Sequence, residues 1–229
     1  MLVCILGPNG VGKSTLIHCI NKILTPQKGS VCINMENIEK MNLMDVAKHV
    51  GYVPQGSPNM FPITVMDMVM MGRHPHSSWW TREKDFSAVE DIMKLLGIET
   101  LAMRSFDELS AGQRQKVLIA RGLVQEPEIM LLDEPTSNLD IKHQLDVMEI
   151  MSDWSKKKDI LVIMACHDLN ISARYADLVV MMKDGRIFDF GAPLSVFTKE
   201  NIHNLYGVEA DIFYNSGKPF VLPLRCVKE

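Results

Sequence analysis

The residues with chemistry to offer are Lys13, Ser14, Gln55, Asp133, Glu134 and His167. Lys13 and Ser14 belong to Gly7-Pro8-Asn9-Gly10-Val11-Gly12-Lys13-Ser14-Thr15, which fits G-x-x-x-x-G-K-[ST], a phosphate-binding loop. Its glycines let successive backbone N–H groups face one anion at the positive end of a helix dipole. Lys13 adds a point charge for β- and γ-phosphates, and Ser14 offers a hydroxyl to Mg²⁺. Asp133 and Glu134 end an apolar run, where two carboxylates are costly without work or partners. Asp133 could hold Mg²⁺ through water, and Glu134 could polarise an attacking water as a general base. Gln55 and His167 each follow an apolar run directly. In open α/β sheets the carboxyl ends of strands are where ligands bind. A lone histidine is ordinarily structural, but this position favours a role for His167 near a γ-phosphate.

A second potential anion site is Leu109-Ser110-Ala111-Gly112-Gln113. Ser110 is a good N-cap, and Val117, Leu118, Ala120, Leu123 and Val124 follow at helical spacing. Taken alone, the segment reads equally well as an ordinary capped helix.

The elements that position these groups follow from hydrophobic pattern. Leu2-Val3-Cys4-Ile5-Leu6 has no polar residue, as expected of a parallel strand buried on both faces. Leu16, Ile17, Ile20, Ile23 and Leu24 predict a helix that runs to Thr25-Pro26. Further strands are expected at Ser30–Asn34, Val50–Val53, Glu128–Leu132 and Ile160–Met164, with a short helix over Leu43–Ala47. Ser137-Asn138-Leu139-Asp140 reads as a turn before a helix marked by Ile141, Leu145, Met148 and Met151. Lys156-Lys157-Lys158 reads as a solvated cap at that helix's negative end. Lys183-Asp184-Gly185 signals a hairpin between two strands. Pro193 to Tyr206 reads as helical, followed by two short strands, Ala210–Tyr214 and Phe220–Leu224.

Between Gly56 and Phe106 the strand signals vanish. Val65, Met68, Val69, Met70 and Met71 suggest one short helix, and Phe86, Val89, Ile92, Met93 and Leu96 a second that stops at Gly97. The segment reads as a helical insert in an α/β core. Trp79 and Trp80 are adjacent and point in different directions on any regular element, so one could be an interface anchor; packing inside the insert is the favoured reading. His74 and His76 lack a nearby His or Cys to complete a metal set and read as surface or hydrogen-bonding residues.

Composition narrows the function classes. The chain has 229 residues, enough for one large domain, and 47% hydrophobic residues, ample for a core. A formal charge of −4 argues against a general nucleic-acid-binding surface. The cysteines, Cys4, Cys19, Cys32, Cys166 and Cys226, form no C-x-x-C pair and read as buried free thiols in a reducing compartment. No apolar run is long enough for a membrane span, and no basic stretch opens a signal peptide. A soluble, cytoplasmic chain is expected, with any membrane association made through a partner.

In this order the motifs resemble the ATP-binding cassette (ABC) family. Gly7 to Ser14 matches its Walker A motif, Gln55 its Q-loop glutamine, and Leu109 to Gln113 its signature, usually Leu-Ser-Gly-Gly-Gln. Met130 to Glu134 matches Walker B with its catalytic glutamate, Ser137 to Asp140 the D-loop, and His167 the switch histidine. The resemblance implies an α/β P-loop NTPase: a single domain over 1–229 with a mainly parallel core sheet (1–56 and 107–229), a helical subdomain (57–106) and small C-terminal strands. It implies ATP and Mg²⁺ as cofactors. Gly7, Pro8, Asn9, Gly10, Val11, Gly12, Lys13, Ser14 and Thr15 would bind the nucleotide, with Ser14, Gln55 and Asp133 at the metal. Glu134, His167, Lys13 and Gln55 would carry catalysis. Two copies would pair head to tail, so that Ser110, Ala111, Gly112, Gln113 and Asp140 serve the partner's ATP. Ala111 departs from the usual glycine. If the backbone there needs a positive φ, alanine costs about 1 kcal/mol; if φ is helical, nothing is lost.

A narrower resemblance lies in Val65 with Met71-Gly72-Arg73-His74-Pro75-His76, in Leu205-Tyr206-Gly207-Val208-Glu209 and in Val221-Leu222-Pro223-Leu224. These look like import ATPases for ferric siderophores, haem and cobalamin. They imply an integral membrane permease whose cytoplasmic coupling helix meets the insert, and an extracytoplasmic substrate-binding protein reached through that permease. The chain would then sit at the cytoplasmic face of the membrane. The family places two antiparallel strands and an adenine-stacking aromatic ahead of the phosphate-loop strand. The sequence as written starts inside that strand, so those strands are expected to be largely missing. A mis-called start codon is favoured over a truncated gene or an altered edge. Two other functions compete with import: a soluble non-transport cassette ATPase, and an inactive nucleotide-binding remnant, against which intact Lys13, Asp133, Glu134 and His167 argue.

Overall fold

The computed structural model describes residues 1–56, 62–76 and 82–227. Strand β1 (Leu2–Leu6) enters the sheet at once and is buried throughout. The phosphate-binding loop follows and leads into α1 (Lys13–Ile20). That helix is shorter than its apolar spacing predicts. Lys22 adopts φ 55 and turns the chain away, leaving Ile23 52% and Leu24 43% exposed. The expected strand at Ser30–Asn34 shrinks to β2 (Cys32–Ile33), which pairs with β3 (Glu36–Asn37) in a two-stranded hairpin. Asn34 and Met35 both have positive φ, as a two-residue hairpin turn of this hand requires.

Next come α2 (Leu43–His49), capped by Asn42, and β4 (Val50–Val53), which Pro54 closes. The insert supplies α3 (Val65–Met70), capped by Thr64, and α4 (Arg82–Leu95). Both carry apolar stripes into the core at Val65, Met68, Val69, Val89 and Met93. Trp79 and Trp80 lie outside the described residues. Helix α5 (Ala111–Leu123) then leads to β5 (Ile129–Asp133), α6 (Ile141–Lys157) and β6 (Leu161–Ala165).

Beyond β6 lie α7 (Leu169–Tyr175), β7 (Leu178–Lys183) and β8 (Arg186–Gly191). The helical run expected from Pro193 to Tyr206 is two helices, α8 (Pro193–Val196) and α9 (Lys199–Tyr206). The chain is extended at Thr198, whose hydroxyl caps α9 by accepting from the Asn201 N–H. The closing strands, β9 (Val208–Asn215) and β10 (Lys218–Cys226), are longer than expected and turn at Ser216-Gly217, again with both φ positive.

The main sheet has six strands in the order β4-β5-β6-β1-β7-β8. All neighbours are parallel except β7 and β8, the hairpin at the edge. Side chains alternate between two cores. Leu2, Cys4, Leu6, Met130 and Leu132 face the layer that holds α3 to α7. Ile5 and Leu131 face the layer with α1 and α2, against Ile17 and Val46. Burial on both faces explains why β1 and β5 read as unbroken apolar runs. The cysteines correct one expectation: Cys4 and Cys166 are buried, but Cys32 and Cys226 are exposed and Cys19 is intermediate. Cys32 and Cys226 lie in the small hairpins, which have no second layer over both faces.

Candidate functional site

The four strands β4, β5, β6 and β1 are contiguous and parallel, so their carboxyl ends lie side by side. From those ends come Gln55, Asp133 with Glu134, His167 and the phosphate-binding loop. The loop turns where β1 stops. Gly7 (φ 152) packs so tightly that a Cβ there would stand 2.3 Å from the Met182 carbonyl oxygen, and Gly12 (φ 100) opens α1 without a side-chain cap. The first N–H groups of α1 therefore remain available to an anion.

Lys13 is only 5% exposed. Its ammonium donates to the carbonyls of Gly7 at 2.8 Å and Pro8 at 3.0 Å. Burial lowers its pKa, while the nearby charges of Glu134 and Asp133 pull it back up. Ser14 Oγ donates to Asp133 Oδ1 at 2.9 Å, and Asp133 is buried. Residues 119 apart in sequence thus present two hard oxygens side by side, a donor set suited to a small divalent cation. Among the described residues there is no cluster of three or more His, Cys, Asp or Glu that could form a different metal centre.

Glu134 adopts φ 49, unusual for a residue with a side chain. Its N–H donates to the Ala165 carbonyl at 3.2 Å, and its own carbonyl accepts from Ser137 Oγ at 2.9 Å. The carboxylate accepts from Gln55 Nε2 at 2.5 Å on one oxygen and pairs with His167 Nε2 on the other. Gln55, Glu134 and His167 share one cleft of about 380 Å³ with Asn9, Gly10, Gly12, Lys13, Ser14 and Thr15. An anion on the loop would lie within reach of a cation, a carboxylate base, an imidazole and an amide.

Ser110, Ala111, Gly112, Gln113 and Asp140 do not line this cleft. Ser110 and Gln113 form a reciprocal capping box at the start of α5. Ala111 is the first residue of that helix and has no positive φ, so its methyl group carries no backbone penalty. Asp140 caps α6, accepting at Oδ1 from the His143 N–H at 2.9 Å and bonding His143 Nδ1 at 2.8 Å. These bonds hold the exposed carboxyl of Asp140 below its ordinary pKa. His76 bonds the Gln125 carbonyl at 2.8 Å, in keeping with a hydrogen-bonding histidine.

Sequence reasoning missed three supporting side chains. His143 reaches from α6 to Gly112 on α5; only its place in the first turn after Asp140 could have suggested this. Tyr52 bonds His18 at 3.0 Å beside the loop's helix, and burial raises its pKa. Tyr206 on α9 buries its phenol against the loop at Gly7, and burial raises its pKa strongly.

Comparison with known proteins agrees with this geometry. Residues 1–137 match the sequence profile of the ABC transporter family. The chain is 48% identical over 223 residues to an uncharacterised ABC transporter ATP-binding protein of Methanocaldococcus jannaschii, covering 97% of this chain and 87% of that protein. It is 41% identical over 224 residues to the ferric enterobactin transport ATP-binding protein FepC of Escherichia coli, covering 96% and 83%. Among solved structures, a metal-chelate type ABC transporter in an inward-facing conformation aligns with a TM-score of 0.85 at 28% identity, over 98% of this chain and 87% of that one.

Proposed function

The chain belongs to the ABC transporter family as an ATP-binding subunit that hydrolyses ATP, and we propose that this hydrolysis drives import of an iron-siderophore, haem or cobalamin-type compound through a partner permease. One observation carries the reading. The Glu134 carboxylate, held between Gln55 and His167, shares a cleft with Lys13 and Ser14. Relatives named for ferric enterobactin transport, cobalamin import and petrobactin import favour import over a soluble cassette or an inactive remnant.

Residues Gly7 to Thr15 cradle the triphosphate through backbone N–H groups, and Lys13 exchanges its carbonyl partners for phosphate oxygens. Ser14, Asp133 and Gln55 are the residues that would hold Mg²⁺, which would neutralise charge on the phosphate oxygens. Glu134 accepts a proton from water as the water oxygen bonds to the γ-phosphorus and the bond to the bridging oxygen breaks, leaving ADP. His167 steadies the γ-phosphate, and Gln55 reports its presence along the chain that leaves β4. Ser110, Ala111, Gly112, Gln113 and Asp140 lie off their own cleft and complete that of a second copy, paired head to tail. Pairing excludes bulk water, where fixed charges act most strongly.

Residues 57–106 form the helical unit that meets the permease, and residues 1–56 and 107–229 the nucleotide-binding core. No helix among the described residues is long and apolar enough to cross a membrane, so attachment to the cytoplasmic face comes through the permease. A substrate-binding protein delivers cargo on the far side. Glu134→Gln is the decisive variant. It is expected to keep ATP affinity, lose about 10²–10⁴-fold in turnover and accumulate an ATP-bound dimer on size-exclusion chromatography. Unchanged turnover would overturn the assignment.

A further inference from the structure

Two arginines lie where the insert meets the core, and their surroundings differ sharply. Arg73, just after α3, is fully answered: Nε meets Asp85 Oδ1 at 2.9 Å, and Nη1 meets the Val124 carbonyl at 2.8 Å and Glu126 Oε2 at 3.4 Å. Arg121 on α5 is not. Its only hydrogen bond among the described residues runs from Nη1 to the thioether sulfur of Met68 at 3.8 Å. Among the described residues no carboxylate pairs with it. Burial lowers its pKa, the mark of a cation that has lost water without gaining an anion. A partly buried cation in that condition is costly.

Arg121 lines an open groove of about 470 Å³ between α2, β4 and the turn after α3. Leu43, Met44, Tyr52, Met71 and Pro75 form much of its wall, and no lining residue is acidic. Leu43 is 69% exposed and Met71 48%, so apolar surface flanks the cation without covering it. Gly72 fixes the width of this junction: a side chain there would strike the Arg121 carbonyl oxygen. The groove thus asks for a short segment with apolar side chains and one carboxylate.

We propose that Arg121 anchors an acidic side chain on a cytoplasmic segment of the permease, seated in this groove with its apolar residues on Leu43, Met44 and Met71. This rests on the importer reading and adds to it the residue that recognises the partner and the charge it recognises. Pairing desolvated opposite charges sets specificity, and truncating one partner weakens such a contact severely.

The test is recovery of the permease with the affinity-tagged full chain, together with melting and ATP turnover of the chain alone. Arg121→Met is expected to reduce permease recovery at least about tenfold. Turnover of the isolated chain should stay within about twofold, and its melting temperature should hold or rise as an uncompensated charge is removed. Arg121→Glu should fail likewise and be restored by an Asp- or Glu-to-Arg change in the permease segment. Equal permease recovery with Arg121→Met overturns this assignment alone. So does a fall in its melting temperature and turnover together, which would make Arg121 structural. If the unsubstituted chain recovers no permease, the importer reading falls and this assignment with it.

Discussion

The imidazole of His143 fills the space that a side chain on Gly112 would need: a methyl group there would stand 2.2 Å from His143 Cδ2. The same ring is bonded through Nδ1 to Asp140. One side chain on α6 therefore ties together the two segments that are proposed to face the partner's nucleotide. Gly112→Ala should force the ring aside at a cost of about 1–3 kcal/mol and lower turnover. Adding His143→Ala should recover part of that loss in a double-mutant cycle on turnover and stability. A double variant no better than Gly112→Ala would show that the ring is not the obstruction.

Ala111 offers a milder test. Because it begins α5 without a positive φ, Ala111→Gly should leave turnover within about twofold and cost less than about 1 kcal/mol in helix stability. A marked gain in turnover would instead mean that the paired state demands a conformation only glycine accepts readily.

Lys13 predicts a pH dependence. Burial makes the free enzyme's ammonium release its proton below the ordinary lysine value of about 10.4. A bound triphosphate favours the cation, so over the interval between the lowered pKa and that of the complex, ATP binding takes up a proton. ATP affinity should fall as pH rises through that interval. The unfolded lysine still holds its proton there, so stability of the nucleotide-free chain should rise with pH over the window from the lowered pKa to about 10.4. Isothermal titration at several alkaline pH values, with Lys13→Arg as control, checks the first; denaturant melts check the second.

The Arg73–Asp85 pair bridges the turn after α3 to α4, with side chains 11% and 6% exposed. Arg73→Met should destabilise the chain by about 1–3 kcal/mol, because the hydrogen bonds that Arg73 gives to Asp85 and to the Val124 carbonyl are lost in a buried setting. Urea unfolding measures this. A change under about 1 kcal/mol would show that the pair is as weak as a surface bridge.

Much of the site is legible in the sequence. The apolar runs of β1, β4, β5 and β6 each stop at a residue with chemistry, and a parallel sheet leaves few places to put those ends. What spacing alone could not give is reach across the chain. Ser14 meets Asp133, Gln55 meets Glu134, and His143 meets Gly112 through tertiary packing that no local pattern encodes. Helix ends misled for a similar reason. Ile23 and Leu24 continue the apolar spacing of α1, but Lys22 in the left-handed region turns the chain first. At Thr198 the signal was present, a threonine three residues ahead of Asn201, yet the longer apolar pattern on either side masked it.

The order β4-β5-β6-β1 has a mechanical consequence. Hydrogen-bonded strands hold a spacing near 4.8 Å, so the loop, Asp133, Glu134 and His167 are mounted on a frame that cannot stretch without breaking its own ladder. Gln55 is mounted on the same frame, but the chain beyond it leaves the sheet for the helices of the insert. A displacement of the Glu134 carboxylate would therefore meet, through its hydrogen bond to Gln55, the chain that continues to α3 and to the groove where Arg121 is proposed to meet a counter-charge.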